Sequence, residues 1–401
     1  MSRTSLAPLP SAAARSVRSS AIRDLLAVTE RPDILGLAGG LPATELIPAG
    51  RIAAATAAAL TDPSSLQYTV SAGTGAARAA IGRHEDVDPA DVLVTHGSQQ
   101  ALSLLATALV DAGDVVVVDD PVYVGARQAF EAVRADIRGL PLTPTGMDTE
   151  LLEHWCREGL RPRLVHTVAT FHNPGGVSAD VDRRRHLAEL ADTYGFWVVD
   201  DDPYGRLRFR GDDPGPIRRH GERVVSLGSA SKILAPALRV GWLLAPPPVV
   251  GTVERLRQSA DLCGSTLTQS VTADLLDDRP WLEDHLDTLR VAYAERADAL
   301  VTALRSELPD DAKISEPDGG MFSWIRVPGL DATACLAVAA DEGVAFVPGP
   351  AFAVARDLSD CLRVSYATLD PDTLRVAASR LGRAVAISRG RRVGSADARP
   401  R

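Results

Sequence analysis

A chain of 401 residues with 45% hydrophobic and 24% charged side chains can bury a large core, and its composition is neither disordered nor membrane-spanning. A formal net charge of −9 opposes a nucleic-acid-binding face, which needs basic residues against phosphate, and no apolar run reaches the roughly 18 residues of a spanning helix. Cys156, Cys263, Cys335 and Cys361 show no CxxC or other ligand spacing, so they suit a reducing cytoplasm rather than a stapled scaffold.

The first twenty residues are rich in Ser, Ala and Arg, lack the apolar stretch of a secretion signal, and read as a mobile arm. From about residue 90 to 245 short β-branched runs alternate with helical stretches, the pattern of an α/β sheet. Strands are predicted at residues 91–95, 114–120, 163–170, 195–202, 223–229 and 239–245. Helices are predicted after Gly97-Ser98-Gln99-Gln100 and over residues 180–195. Polar, Gly-rich or Pro-rich clusters follow the C-terminal ends of several of these strands, where open α/β sheets place their ligands. Beyond Pro280 a long amphipathic helix leads into GGMFSWIRVPG, VAFVPG and LRVSYA, separated by helices, which predicts a second, smaller α+β domain. The final RGRRVGSADARPR has no periodicity and reads as a disordered tail.

Of 43 basic residues only Lys232 and Lys313 are lysines. Arginine stays protonated and cannot serve as an amine nucleophile, whereas lysine can lose its proton and form an imine. A lysine retained in such a chain is therefore a candidate for chemistry, and its neighbours decide which one. Ser229-Ala230-Ser231-Lys232 continues through Pro236 to Arg239, Gly241 and Trp242. The lysine suits an aldehyde cofactor, and the hydroxyls and guanidinium suit a phosphate dianion. Ser98 and Gln99, at a strand-to-helix turn, add the N–H groups and dipole of a helix start, which also favour an anion. Asp201 and Tyr204 follow one strand, and Asn173 opens an Asn-Pro-Gly-Gly turn after another. A pyridinium nitrogen needs an anionic partner and a phenolic oxygen needs donors, which Asp201 and the Asn173/Tyr204 pair can supply. Singly, each of the three reads as well as a cap, a turn former or a core residue. Their joint order with Lys232 is what argues for a site.

With these segments the chain resembles the fold-type I pyridoxal 5′-phosphate (PLP) enzymes of the aminotransferase class I/II group, nearest in pattern to the 2-aminoadipate and kynurenine aminotransferase-like branch. The match runs from SSAIRDLLAVTERPDILGLAGGLPATELIP through LQYTVSAGTGAARAAI, THGSQQAL, DDPVY, HNPGG, DDDPYGRL, SASKILAPALRVGW, GGMFSWI and VAFVPGPAF to LRVSYATLD. The resemblance implies a large PLP-binding domain over residues 45–279, with a mostly parallel sheet of the seven-stranded type between helices. It also implies an N-terminal arm and helix over 1–44 that join a small domain at 280–387, with the tail at 388–401. It implies a Schiff base between PLP and Lys232 and phosphate contacts from Ser98, Gln99, Ser229, Ser231 and Arg239. The cofactor ring would stack on Tyr123, with Asp201 at its pyridine nitrogen and Asn173 and Tyr204 at its phenolic oxygen. Tyr68 matches the tyrosine that such dimers lend to the neighbour's phosphate, which implies a homodimer with shared sites. Arg363 matches the arginine that grips the substrate α-carboxylate, Gly40 lines the substrate pocket, and Arg23 matches an arginine that recognises a distal acidic group. The expected reaction is ping-pong transfer of an amino group from an L-α-amino acid to a 2-oxo acid. One departure is His172-Asn173-Pro174-Gly175-Gly176 where the family often has Gln-Asn-Pro-Thr-Gly; His172 reads as a satisfied neighbour rather than a catalyst.

Rival readings are weaker. GLAGGLP lacks the G-x-G-x-x-G spacing and preceding strand of a dinucleotide site, and neither a Walker GxxxxGK nor an HExxH or paired histidine spacing is present, so no metal site is expected. A transcription regulator built on this fold would need a winged-helix domain, and only about forty residues precede GLAGGLP. Elimination, cyclisation, decarboxylation and oxidation share the lysine and the electron sink with transamination, and remain the alternative chemistries.

Overall fold

The computed structural model describes Ser11, Ala14, Arg15, Arg31 and residues 33–396. Arg23 lies outside the described residues. The chain enters through β1 (Leu35–Gly36), then α1 (Ala49–Ala59) and α2 (Gly75–Glu85). The large sheet follows: β2 (Val92–Thr95), α3 (Ser98–Leu109), β3 (Val115–Asp120), α4 (Val124–Ala132), β4 (Asp136–Thr143), β5 (Gly146–Met147), α5 (Thr149–Arg157) and β6 (Leu164–Thr167). After α6 (Val181–Tyr194) come β7 (Trp197–Asp201), β8 (Val224–Ser229) and β9 (Gly241–Leu244). The spatial order is β2-β9-β8-β7-β6-β3-β4-β5. β9 pairs antiparallel with both β2 and β8, and β5 pairs antiparallel with β4; the other ladders are parallel. The sheet thus holds the seven longer strands expected and a two-residue eighth, β5, at one edge.

The run of valines in β3 shows why these segments are strands. Val116 and Val118 pack into one core with α3 and α4, while Val117 faces the opposite core with α5 and α6. A strand buried on both faces needs apolar residues at both parities of its pleat, so the continuous valine run is the signature of a sheet covered by helices on each side. β4 was not among the predicted strands: Arg138 and Pro141 interrupt its apolar pattern, and it lies near the sheet edge, where proline is tolerated.

After α7 (Pro247–Ala260), α8 (Thr266–Asp277) and the long α9 (Arg279–Glu307), β10 (Lys313–Ile314), β11 (Phe322–Arg326), α10 (Ala332–Asp341), β12 (Val344–Ala345), β13 (Val347–Pro348), β14 (Cys361–Ser365) and α11 (Pro371–Ala396) complete the fold. A four-stranded sheet has the order β10-β11-β14-β13, and β1 pairs parallel with β12, so the entering chain is tied to this smaller unit. α11 runs on to Ala396, through residues that the sequence pattern assigns to a disordered tail. Arg389 holds that extension by donating to both carboxylate oxygens of Asp311, at 3.0 and 3.2 Å, an anchor supplied by tertiary contact and not by periodicity.

Candidate active site

The site assembles at the C-terminal ends of the parallel strands. Lys232 follows β8 directly, and its Nζ donates to the carbonyl of Gly40 at 2.6 Å. Burial, with the guanidinium charges of Arg363 and Arg239 behind it, lowers the lysine pKa to about 8. The amine is therefore far closer to its neutral, nucleophilic form at ordinary pH than an exposed lysine is.

Arg363, on β14, is brought to the same place from the smaller sheet. Its Nη1 donates to Asn173 Oδ1 at 2.8 Å and its Nη2 to the carbonyl of Ala38 at 2.5 Å. The guanidinium carbon lies 4.2 Å from the ring centroid of Phe322 and 5.1 Å from that of Phe352. Two aromatic faces and two acceptors fix its plane, and Nε, buried, has no protein partner. Burial lowers its pKa to about 10, which leaves it cationic at neutral pH.

Asn173 also donates from Nδ2 to the Tyr204 hydroxyl at 3.4 Å. Tyr123 and Tyr204 both have phenol pKa values pushed up, first by burial; their fields reach Asp201 and Arg363 as well. Asp201, the last residue of β7, is buried, and its Oδ1 has no hydrogen-bond partner in the protein. Lys232, Gly40, Asn173, Asp201, Tyr204, Tyr123 and Arg363 are thus one cluster.

The phosphate candidates form a second group beside it. Gly97 caps α3 with φ +77°, a conformation that L side chains rarely adopt, and a Cβ there would lie 2.8 Å from Arg239 Nη2. With no side chain capping the helix, the first N–H groups of α3 at Ser98 and Gln99 remain available for an anion. Gln99 Oε1 accepts from the Tyr123 hydroxyl at 3.1 Å, which links the two groups. Ser229 Oγ accepts from the Ser231 N–H at 3.1 Å, and Arg239 Nη2 donates to the His96 carbonyl at 2.8 Å; Gly241 pairs with both Ser229 and Thr95, so the turns after β8 and β2 flank one strand. Tyr68 stands apart: at 78% exposure its ring projects to solvent.

PLP fits this arrangement. The buried, unpartnered carboxylate oxygen of Asp201 suits a protonated ring nitrogen, the uncapped start of α3 beside Arg239 suits a phosphate, and Lys232 supplies the amine.

Two histidine–carboxylate pairs escaped the sequence reading, which weighed His172 as a neighbour without naming its partner and tested the other histidines only for metal spacing. His166 Nε2 lies 3.6 Å from Asp201 Oδ2, both side chains buried. The signal was there: in parallel register His166 pairs with Val199, and Asp201, two residues on, shares that face. His172 Nε2 lies 3.2 Å from Asp119 Oδ2, and its Nδ1 accepts the Gly175 N–H at 3.0 Å. Because Nδ1 is an acceptor, the proton of the neutral ring sits on Nε2, facing the carboxylate. His172 is expected to be a satisfied neighbour; only its Nδ1 is hydrogen-bonded, Nε2 approaching Asp119 without forming a hydrogen bond, and through Nδ1 it holds the turn that carries Asn173. Among the described residues no group of His, Cys, Asp and Glu is arranged to hold a metal, and no helix is long and apolar enough to cross a membrane.

Comparison with known proteins gives this geometry its family. The model of the family "Aminotransferase class I and II" matches residues 32–381. The chain is 36% identical over 93% of its length to aromatic-amino-acid aminotransferase 1 of Thermococcus litoralis, covering 93% of that protein. It is 37% identical over 92% of its length to 2-aminoadipate transaminase of Thermus thermophilus, covering 94% of it. Among solved structures, kynurenine aminotransferase of Pyrococcus horikoshii superposes with a TM-score of 0.90 at 36% identity, over 94% of this chain and 97% of that one. The chain belongs to the aminotransferase class I and II family, and it is a fold-type I aminotransferase dependent on pyridoxal 5′-phosphate.

Proposed function

We propose that this aminotransferase passes the amino group of an L-α-amino acid to a 2-oxo acid in two half-reactions at a site centred on Lys232. The observation that carries the reading is the convergence of a half-buried amine of lowered pKa, Lys232, with a cationic guanidinium held beside two phenyl rings, Arg363, and an unpartnered buried carboxylate oxygen, Asp201.

When bound, PLP supplies an electron sink. Lys232 would hold it through Nζ, and the same Nζ would take the Cα proton of the substrate and give it back. Asp201 would keep a proton on the ring nitrogen, and His166 stands behind that carboxylate on the neighbouring strand. Asn173 and Tyr204 would donate to the phenolic oxygen, and Tyr123 would cover the ring. Ser98, Gln99, Ser229, Ser231 and Arg239 would hold the phosphate. Arg363 binds the α-carboxylate of donor and acceptor alike through charge-assisted bonds, and the Gly40 turn borders the pocket.

The side-chain preference follows from Arg23, which would grip a distal acidic group, and the relatives named for 2-aminoadipate and for aromatic amino acids fit a site that takes both classes. A homodimer completes the assembly. Leu41, Leu66, Tyr68, Val70 and Leu262 are exposed apolar side chains, and Ser71 Oγ donates to the Leu262 carbonyl at 2.7 Å, so the 66–71 segment and Leu262 form one patch. Burying that patch against a second copy would bring Tyr68 to the neighbour's phosphate. The enzyme works in the cytoplasm on this reading.

The test is a half-reaction. Adding glutamate, 2-aminoadipate or an aromatic amino acid to the yellow holoenzyme should convert the cofactor to its amine form, and 2-oxoglutarate or pyruvate should restore it with ping-pong kinetics. Release of ammonia or carbon dioxide with the aldehyde form retained would defeat the proposal.

A further inference from the structure

Asp120 closes β3 with its side chain wholly buried. A buried carboxylate is tolerated only with strong donors around it. Three consecutive backbone N–H groups provide them: Val354 donates to Oδ1 at 3.1 Å, and Ala355 and Arg356 donate to Oδ2 at 2.8 and 2.9 Å. These donors belong to the segment between β13 and β14, on the smaller unit. The seam continues on both sides of the carboxylate. Val122 N–H donates to the Phe352 carbonyl at 2.8 Å, Arg127 Nη1 to that of Ala353 at 3.1 Å, and Arg356 Nη1 to that of Asp120 at 3.3 Å. Gly139, on the adjacent β4, admits the close approach: a Cβ there would lie 2.9 Å from the Cβ atoms of both Asp120 and Val354.

The clamped segment begins at Phe352, one of the two rings that hold the Arg363 guanidinium. At the other end of the clamp, Asp120 stands three residues before Tyr123 on the large sheet. One carboxylate therefore fastens a wall of the Arg363 pocket to the strand end that presents Tyr123.

We propose that Asp120 is a positioning residue for substrate binding, which by clamping residues 354–356 holds Phe352 against Arg363 and so sets the geometry of the α-carboxylate pocket. The proposal rests on the reading of Arg363 as the group that binds the α-carboxylate. A carboxylate that only stabilised the fold would leave KM untouched in a variant that still folds, whereas a positioning carboxylate moves KM ahead of kcat.

Asp120→Asn keeps the shape but turns one acceptor into a donor facing N–H groups. In the holoenzyme it should raise KM for amino donor and 2-oxo acid roughly tenfold, with kcat within about threefold of the parent. The inhibition constant of maleate, a dicarboxylate without an amino group, should rise by the same factor while the visible absorbance shows the cofactor retained. Gly139→Ala, which leaves the carboxylate in place and wedges the seam, should move KM in the same direction, so poor folding of one variant does not decide the matter. On an Arg363→Lys background Asp120→Asn should add less than about twofold, because both changes act on one pocket. Raised KM for Arg363→Lys beside unaltered KM and maleate inhibition for Asp120→Asn and Gly139→Ala would overturn the clamp alone. Unaltered KM for Arg363→Lys would overturn the reading of Arg363, and the role of the clamp with it.

Discussion

Lys232 donates to the Gly40 carbonyl across 2.6 Å, so the amine at the end of a large-sheet strand is met by a turn that follows β1, a strand paired to the smaller unit. Its pKa of about 8, against an ordinary 10.5, has two measurable consequences. Covalent attachment of PLP to the apo-protein requires the neutral amine, so its rate should rise with pH to a plateau whose inflection lies near 8, and stopped-flow absorbance reads it. Between pH 8 and 10.5 the folded apo-protein binds fewer protons at Lys232 than the unfolded chain does, so this residue's contribution to stability rises with pH across that window, and its cost is fully present below it. Lys232→Met should flatten the rise in denaturant unfolding. Borohydride should fix the cofactor to Lys232, and Lys313→Ala should leave turnover unchanged.

Arg363→Lys should lower kcat/KM for α-amino acids by about 2 to 3 kcal/mol in transition-state binding. A lysine ammonium is a point charge that cannot reach Asn173 Oδ1 and the Ala38 carbonyl together while resting against Phe322 and Phe352. A simple amine without a carboxylate should lose no more than a small fraction of that in the same steady-state assay.

His172→Gln should be nearly neutral, because an amide can accept from Gly175 with its oxygen and donate to Asp119 with its nitrogen. His172→Leu leaves the Gly175 N–H without its acceptor and Asp119 with only the Val168 N–H, and should cost about 1 to 3 kcal/mol in urea unfolding. If the leucine variant unfolds at the same urea concentration as the parent, the bridge contributes nothing to holding the Asn173 turn.

Arg184 is buried on α6 and donates to the carbonyls of Ala179, Ala169 and Gly215 and to Thr170 Oγ1, all between 2.9 and 3.0 Å. Arg184→Met removes these donors while keeping the bulk, and should cost about 3 kcal/mol or more in equilibrium unfolding, with the spectrum of the bound cofactor unaltered.

Much of the site was legible because it lies at strand ends. Asp201 and Lys232 follow runs that had to be buried strands, and Asn173 opens a turn whose composition announces it. The predicted strands at 114–120, 195–202 and 223–229 lie within two residues of β3, β7 and β8 at either end. What could not be read depends on partners distant in the chain or without side chains. Asp120 stands beside Asp119 in the sequence, yet its donors are backbone N–H groups 234 to 236 residues away, which no residue type marks. The continuation of α11 past residue 388 rests on Arg389 meeting Asp311, again a contact without a local pattern.

Lys313 lies exposed on β10, the edge strand of the smaller sheet, while the other lysine is half-buried in the active site, its amine bonded to the Gly40 carbonyl. Apart from the α-amino group, the folded surface therefore offers a single aliphatic amine to acylating reagents. With the α-amino group blocked beforehand, a support bearing an activated ester would capture this protein through Lys313 in one orientation, with the same edge of the molecule against the support.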